Sequence, residues 1–274
     1  MTTTTVPNPV TRNAVPNLHL RDSRTMLRRN LLHARRYPSM TLQVALIPVF
    51  LLLLFVYVFG SALGAGIGQG GDRTAYLSYL VPGILLMTAG AGSIPTAVAV
   101  CTDMTEGIVA RFRTMAVSRA SILVGHVVGS VIQTVINLVL VTAVALAIGF
   151  RPNANPLEWL AACGLLLLFV LGLTWLAVAL GLISKTPEGA SNAPLPISFL
   201  LPFVSSTFVP VDSMPSWIRW FAEYQPFTAV IETVRGLLTG TGIGHNGWLA
   251  VAWSLAIVIL GFVWSLRLFD RDTH

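Results

Sequence analysis

The chain has 274 residues, of which 54% are hydrophobic and only 10% charged, and its mean hydropathy is +0.75. A soluble domain carries about 25% charged residues, so the composition excludes a water-facing surface and calls for an exterior solvated by lipid. The net charge of +6 and pI near 10 would suit a nucleic-acid binder, but the basic residues fall in short segments between apolar runs, mostly on one side, which excludes that class.

Residues 1–20 are polar, rich in Thr, Pro and Asn, without the apolar stretch of a signal peptide. They are expected to be a disordered cytoplasmic tail. Ser23 to Tyr37 reads as an amphipathic helix: Leu27, Leu31 and Ala34 share one face, while Arg24, Arg28, Arg29, Arg35 and Arg36 crowd the rest. Ser23 serves as N-cap and Pro38 as stop. Such a helix suits the anionic cytoplasmic leaflet; a solvated linker is the plainer reading.

At about 20 residues per span, the remainder divides into six. Span 1 is expected at Met40–Phe59, kinked at Pro48, followed by a Gly-rich loop, Gly60–Thr74. Span 2 covers Tyr76–Val100 with Pro82 and Pro95 inside, and a polar segment runs from Thr102 to Arg119. Span 3 covers Ile122–Phe150, span 4 Leu157–Ile183, and Lys185–Gly189 is a short loop. Span 5, Ala193–Val209, is short and holds Pro194, Pro196 and Pro202. After a moderately apolar stretch, Val211–Asn246, span 6 covers Trp248–Leu268. Residues 21–274 thus read as one transmembrane domain. Thirteen Lys and Arg fall on the side of the N-terminal segment, the loop after span 2, Lys185 and the tail; Arg73, Arg151, Arg219 and Arg235 fall on the other. The positive-inside rule then makes both termini cytoplasmic.

Several patterns carry no chemistry. Gly66, Gly68 and Gly71, and again Gly242, Gly244 and Gly247, match G-x-G-x-x-G, but neither lies in the strand–turn–helix unit that a dinucleotide needs. Lys185 is the single lysine and no P-loop surrounds it, so any ATPase must come from a second protein. No nucleophile elbow is present, the five histidines are dispersed, and no metal site or catalytic residue is expected. Cys101 and Cys163 lie in different spans near opposite faces, too far apart for the roughly 7 Å that a disulfide allows. Gly125 and Gly129 form a G-x-x-x-G suited to close helix packing.

Two segments are more informative. The first, 103-DMTEGIVARFRTMAVSRASIL-123, reads as a short helix along the membrane, with Asp103, Glu106 and Gly107 ahead of Arg111, Arg113 and Arg119. Mixed charge of this kind can fix the register of a soluble partner. The second, 209-VPVDSMPSWIRWFAEYQPFTAVIETVRGLL-238, has helices opened by Pro215 and Pro226 and is too broken and charged to span. It reads as a re-entrant helix pair on the outer side, with Glu232 and Arg235 spaced to pair at i, i+3.

With the basic N-terminal helix and the six-span plan, these segments resemble the type-two ABC transporter permease family, in particular the daunorubicin-resistance-like drug-export permeases of actinobacteria. The strongest stretch is Phe208-Val-Pro-Val-Asp-Ser-Met-Pro-Ser-Trp, then Tyr224-Gln-Pro-Phe-Thr and Arg235-Gly-Leu-Leu. The family's loop after span 2 usually reads E-R-E-x-G-T-x-x-R-x-x-x-x-P-x-S-R. This chain has Asp103, Glu106, Gly107, Arg111, Ser118 and Arg119 in similar order, with Ala116 near the usual Pro. The resemblance implies a permease dimer, as two identical chains or with a related one, bound to two cytoplasmic ATPases that hold the ATP and Mg. It also implies a coupling helix in the loop after span 2, and outward movement of amphiphilic drugs, antibiotics or lipids across the cell membrane.

Polar residues within spans are candidates for the substrate path: Gln133 and Asn137, four apart in span 3, Thr96 in span 2, and Ser206 in span 5. Phe199 and Phe203 are candidates to stack on a flat substrate. No span core contains Asp, Glu, Lys or Arg, which argues against the alternative of an ion-coupled carrier; a scaffold without transport is the other alternative.

Overall fold

The computed structural model describes residues 38–62, 73–105 and 119–271. The expected tail over residues 1–20, the basic helix and most of the Gly-rich loop lie outside them. Among the described residues every regular element is helical: α1 (Pro38–Leu54, continued by a π-helical turn, Phe55–Phe59), α2 (Arg73–Thr105), α3 (Arg119–Ala147), α4 (Pro156–Ile183), α5 (Pro187–Asn192), α6 (Ser216–Tyr224), α7 (Pro226–Thr239) and α8 (Asn246–Arg271). Local chemistry sets several ends. Asn155 and Glu158 close a capping box at the start of α4, with side-chain bonds of 2.8 and 2.7 Å, and Pro156 takes the first helical position. Pro226 opens α7 in the same way, and Gly240, at φ 73°, ends it. Pro215, expected as a first helical residue, is instead the N-cap of α6.

Five helices are long and apolar enough to cross a membrane: Val44–Ala62, Arg73–Thr105, Leu123–Ala147, Pro156–Ile183 and Asn246–Phe269. Of their most apolar stretches, 72% is buried in α2 and 67% in α4, against 28%, 28% and 22% in α1, α3 and α8. The two central helices therefore hold the core, and the other three turn Leu46, Phe50, Val139, Ile259 and Leu260 outward. Helices α2 and α4 run parallel, with the Cys101 thiol donating to the Ser184 carbonyl at 3.3 Å. Helix α8 runs parallel to α4, where the Ser265 hydroxyl donates to the Trp175 carbonyl at 3.1 Å. All three finish at one end of the bundle, the root end; α6 and α7 cover the other, the cap end. Both cysteines are free, as expected.

The stretch expected as span 5 is not one continuous helix. It holds a π-helical turn (Pro196–Leu200) and a three-residue α-helical turn (Leu201–Phe203); α5, which begins inside the expected Lys185–Gly189 loop, ends at Asn192 just before it and makes one broken segment with it. Pro194, Pro196 and Pro202 each remove an N–H and crowd the carbonyl four residues earlier. The broken segment still runs antiparallel along α2. Ala190 clusters with Ala97 and Cys101, Ser198 lies against Gly90, Thr207 against Gly83, and the Tyr76 hydroxyl donates to the Phe208 carbonyl at 3.4 Å. A Cβ on Gly90 would stand 3.0 Å from the Ser198 Cα, and one on Gly83 2.8 Å from the Thr207 Cα. Only glycine permits that approach.

Candidate functional site

Three polar regions occur at three depths. At the root end α2 finishes at Thr105 and α3 begins at Arg119. Glu106, Gly107, Arg111 and Arg113 therefore lie outside the described residues, and Arg119 is the first residue of α3. Asp103 sits on the last turns of α2, where its Oδ2 lies 2.9 Å from His126 Nε2 on α3. The carboxylate is thus engaged within the chain, tying together the two helices from which the loop hangs. Nothing in the sequence pairs these two residues; only the antiparallel docking of α2 and α3 does.

At mid-depth, α2 and α3 meet along small and polar side chains. The Thr96 hydroxyl donates to the Ser130 hydroxyl, and a Cβ on Gly92 would collide with the Thr134 side chain. Asn137 is fully buried, and neither of its amide atoms, nor the Thr134 hydroxyl, has a hydrogen-bond partner. Gln133, expected to share its face, is half-buried. On the other flank of α2, the Gly90 carbonyl accepts from both Ser93 (2.7 Å) and Ser198 (3.0 Å). Phe203 stacks on Phe208 at 4.8 Å and Phe55 meets Phe208 at 4.3 Å, while Phe199 packs half-buried against the core.

The candidate path residues are consequently not one surface. At 100° per residue, Gly83 and Gly90, which meet the broken segment, lie on one side of α2. Gly92 and Thr96, which meet α3, lie on the opposite side. Thr96, Gln133 and Asn137 belong to one flank; Phe199, Phe203 and Ser206 belong to the other.

At the cap end lies a polar group that the sequence showed only in part. The expected Glu232–Arg235 pair forms, yet Arg235 is only 7% exposed. Its Nε and Nη2 both donate to the Tyr79 carbonyl, at 3.1 and 3.0 Å, and Nη2 also donates to the Ser206 carbonyl at 2.7 Å. Its guanidinium carbon lies 3.7 Å from the centre of the Tyr79 ring. The available signal was a lone basic residue inside the apolar pattern of α7; its distant partners had none. Among the described residues no group of three or more His, Cys, Asp or Glu could hold a metal.

A multi-pass helical membrane protein is what the five apolar helices and their small-residue seams define. Residues 21–239 match the ABC-2 type transporter family, and the chain belongs to it. It is similar to the daunorubicin resistance ABC transporter permease protein DrrB1 of Streptomyces coeruleorubidus, 27% identical over 91% of this chain and 87% of that protein. It is also similar to the probable doxorubicin resistance ABC transporter permease protein DrrC of Mycobacterium tuberculosis, 24% identical over 70% of this chain and 69% of that protein. The putative transport permease ycf38 of Cyanophora paradoxa is 26% identical over 82% of this chain and 74% of its own length.

Proposed function

We propose that this chain is the membrane-spanning subunit of an exporter driven by a separate cytoplasmic ATPase, which holds the ATP and Mg. Membership of the ABC-2 family over residues 21–239 carries the reading. The names of its relatives support drugs or other amphiphiles as cargo. The chain itself has no P-loop and acts as the non-catalytic half, within a single permease domain over residues 21–274.

Six crossings follow if the broken segment counts as one. Helices α4 and α8 are parallel and finish at the same end, so the chain between them must return. The return runs along α2 from the level of Cys101 to that of Tyr76, a rise of about 37 Å at 1.5 Å per residue, against about 30 Å of hydrocarbon. The excess of Lys and Arg on the root-end side supports a cytoplasmic root end, with both termini cytoplasmic, in a cell-membrane protein. The Asp103–His126 contact at that end supports the joining loop as the segment that engages an ATPase, with Arg111 and Arg113 as contacts and a second permease copy completing the assembly.

The test is a mild-detergent pull-down of the tagged chain from its native membrane, with mass spectrometry and an ATPase assay. A P-loop ATPase co-purifying near one to one is the expected result. A clean chain without one, even after crosslinking, would move the assignment to a carrier or scaffold.

A further inference from the structure

We propose that Arg235 is the latch of an outer gate, holding α7 against α2 and against the end of the broken segment when the cap end is closed. The proposal rests on the exporter reading for its purpose, though not for its geometry.

Beside Arg235 the backbone has left the helix. Residues 204–208 form a turn at the end of the broken segment, buried apart from Val204. Buried carbonyls outside regular structure must find donors. Here three alternate carbonyls each accept from a different side chain. Val204 O accepts from Gln225 Nε2 at 2.8 Å, Ser206 O from Arg235 Nη2 at 2.7 Å, and Phe208 O from the Tyr76 hydroxyl at 3.4 Å. The turn is thus clasped by side chains, which can let go without unwinding a helix. Gln225 and Tyr76 hold one carbonyl each. Arg235 also grips the Tyr79 carbonyl through two nitrogens and lies over the Tyr79 ring, so it joins α7, α2 and the turn at one point.

A buried charge is a poor device for stability alone. Well-packed apolar side chains of similar volume usually serve as well or better, and a switch or register role is the better-attested use. The surroundings agree with a closed state that has another. Tyr79 Oη, Ser206 Oγ, Gln225 Oε1 and Thr228 Oγ1 are buried there without hydrogen-bond partners. Parting α7 from α2 would bring water to all four, and to the three released carbonyls. Glu232 is half-buried and stays on α7 with Arg235, so the cation keeps a counter-charge as it leaves.

Ser206 supplies the reporter, because its hydroxyl makes no bond that a thiol would break. In a Cys101→Ala/Cys163→Ser background, Ser206→Cys is reconstituted in vesicles and its reaction with a membrane-impermeant maleimide is timed. With Arg235 present, labelling is expected to be slow. Arg235→Gln is expected to speed it by about tenfold or more, since the reactivity of a buried thiol follows the population of the open state. Arg235→Lys, a point charge without the fork, falls between. Arg219→Gln, at an arginine paired with exposed Asp212 on the surface, leaves the rate unchanged. Melting and size-exclusion profiles confirm that each variant is folded; should Arg235→Gln fail to fold, Arg235→Lys decides. An unchanged rate in a folded Arg235 variant makes Arg235 a brace and overturns the latch. Addition of the partner ATPase with ATP separates the two readings. Fast labelling in Arg235→Gln without any ATP response supports the latch and counts against ATP-driven export. An ATP response with no effect of Arg235 leaves the exporter and removes the latch.

Discussion

Asn137 is fully buried on α3 with both amide atoms unpartnered. An unpaired buried polar group costs about 1–3 kcal/mol, and apolar replacement of similar shape can be neutral or better. Asn137→Leu is therefore expected to hold or raise the thermal midpoint in detergent while altering which substrates are moved. A clear fall in the midpoint would show that the amide is paired in the working protein. Asp103 and His126 call for a different experiment. Each single change, Asp103→Asn or His126→Gln, is expected to lower transport per ATP hydrolysed. The double variant should be no worse than either, with a coupling energy of about 0.5–3 kcal/mol for groups in contact; simple additivity would show that they act apart. At this scale the sequence was only partly legible. Glu232 and Arg235, three residues apart, could be paired on helical spacing. Tyr79 lies 156 residues from Arg235 in the chain, and no local rule spans that distance.

Among the elements, the long apolar runs gave up their helices readily, because twenty apolar residues have few other uses. The ends were also coded: Asn155-Pro-Leu-Glu158 is a capping box that can be read directly from the chain. The broken segment was harder. Its three prolines announced irregularity, but not that α2 would supply glycines to receive it. The G-x-x-x-G of Gly125 and Gly129 drew attention to α3, and no comparable spacing announced the close approaches at Gly83, Gly90 and Gly92 of α2. Gly83→Leu is expected to displace the turn at Thr207 and to cut the yield of monodisperse protein sharply. Gly164→Ala, on α4 with nothing within 4 Å of the new Cβ, is expected to be neutral or to stabilise by about 0.5–1 kcal/mol. Equal outcomes for the two would mean that the broken segment does not pack as described.

For the whole molecule, the decisive experiment is charge reversal in the loop between α2 and α3. Arg111→Glu with Arg113→Glu is expected to leave insertion and folding intact and to uncouple hydrolysis from transport in a reconstituted complex. Unchanged coupling would remove the loop from the ATPase contact. Composition and patterning made the membrane class and the helix order legible. The opposition of two seams on α2 was not legible, since it depends on which neighbours dock and not on any one helix. The burial of α2 shields it from the bilayer. At 33 residues it is about 50 Å long, far beyond the roughly 30 Å of a hydrocarbon slab, yet most of it never meets an acyl chain. Val44–Ala62, at 19 residues, is about 28 Å long and does. Hydrophobic mismatch therefore acts on this protein through its outer helices: thicker or thinner bilayers strain α1 first, and reach the core through Phe55 against Phe208.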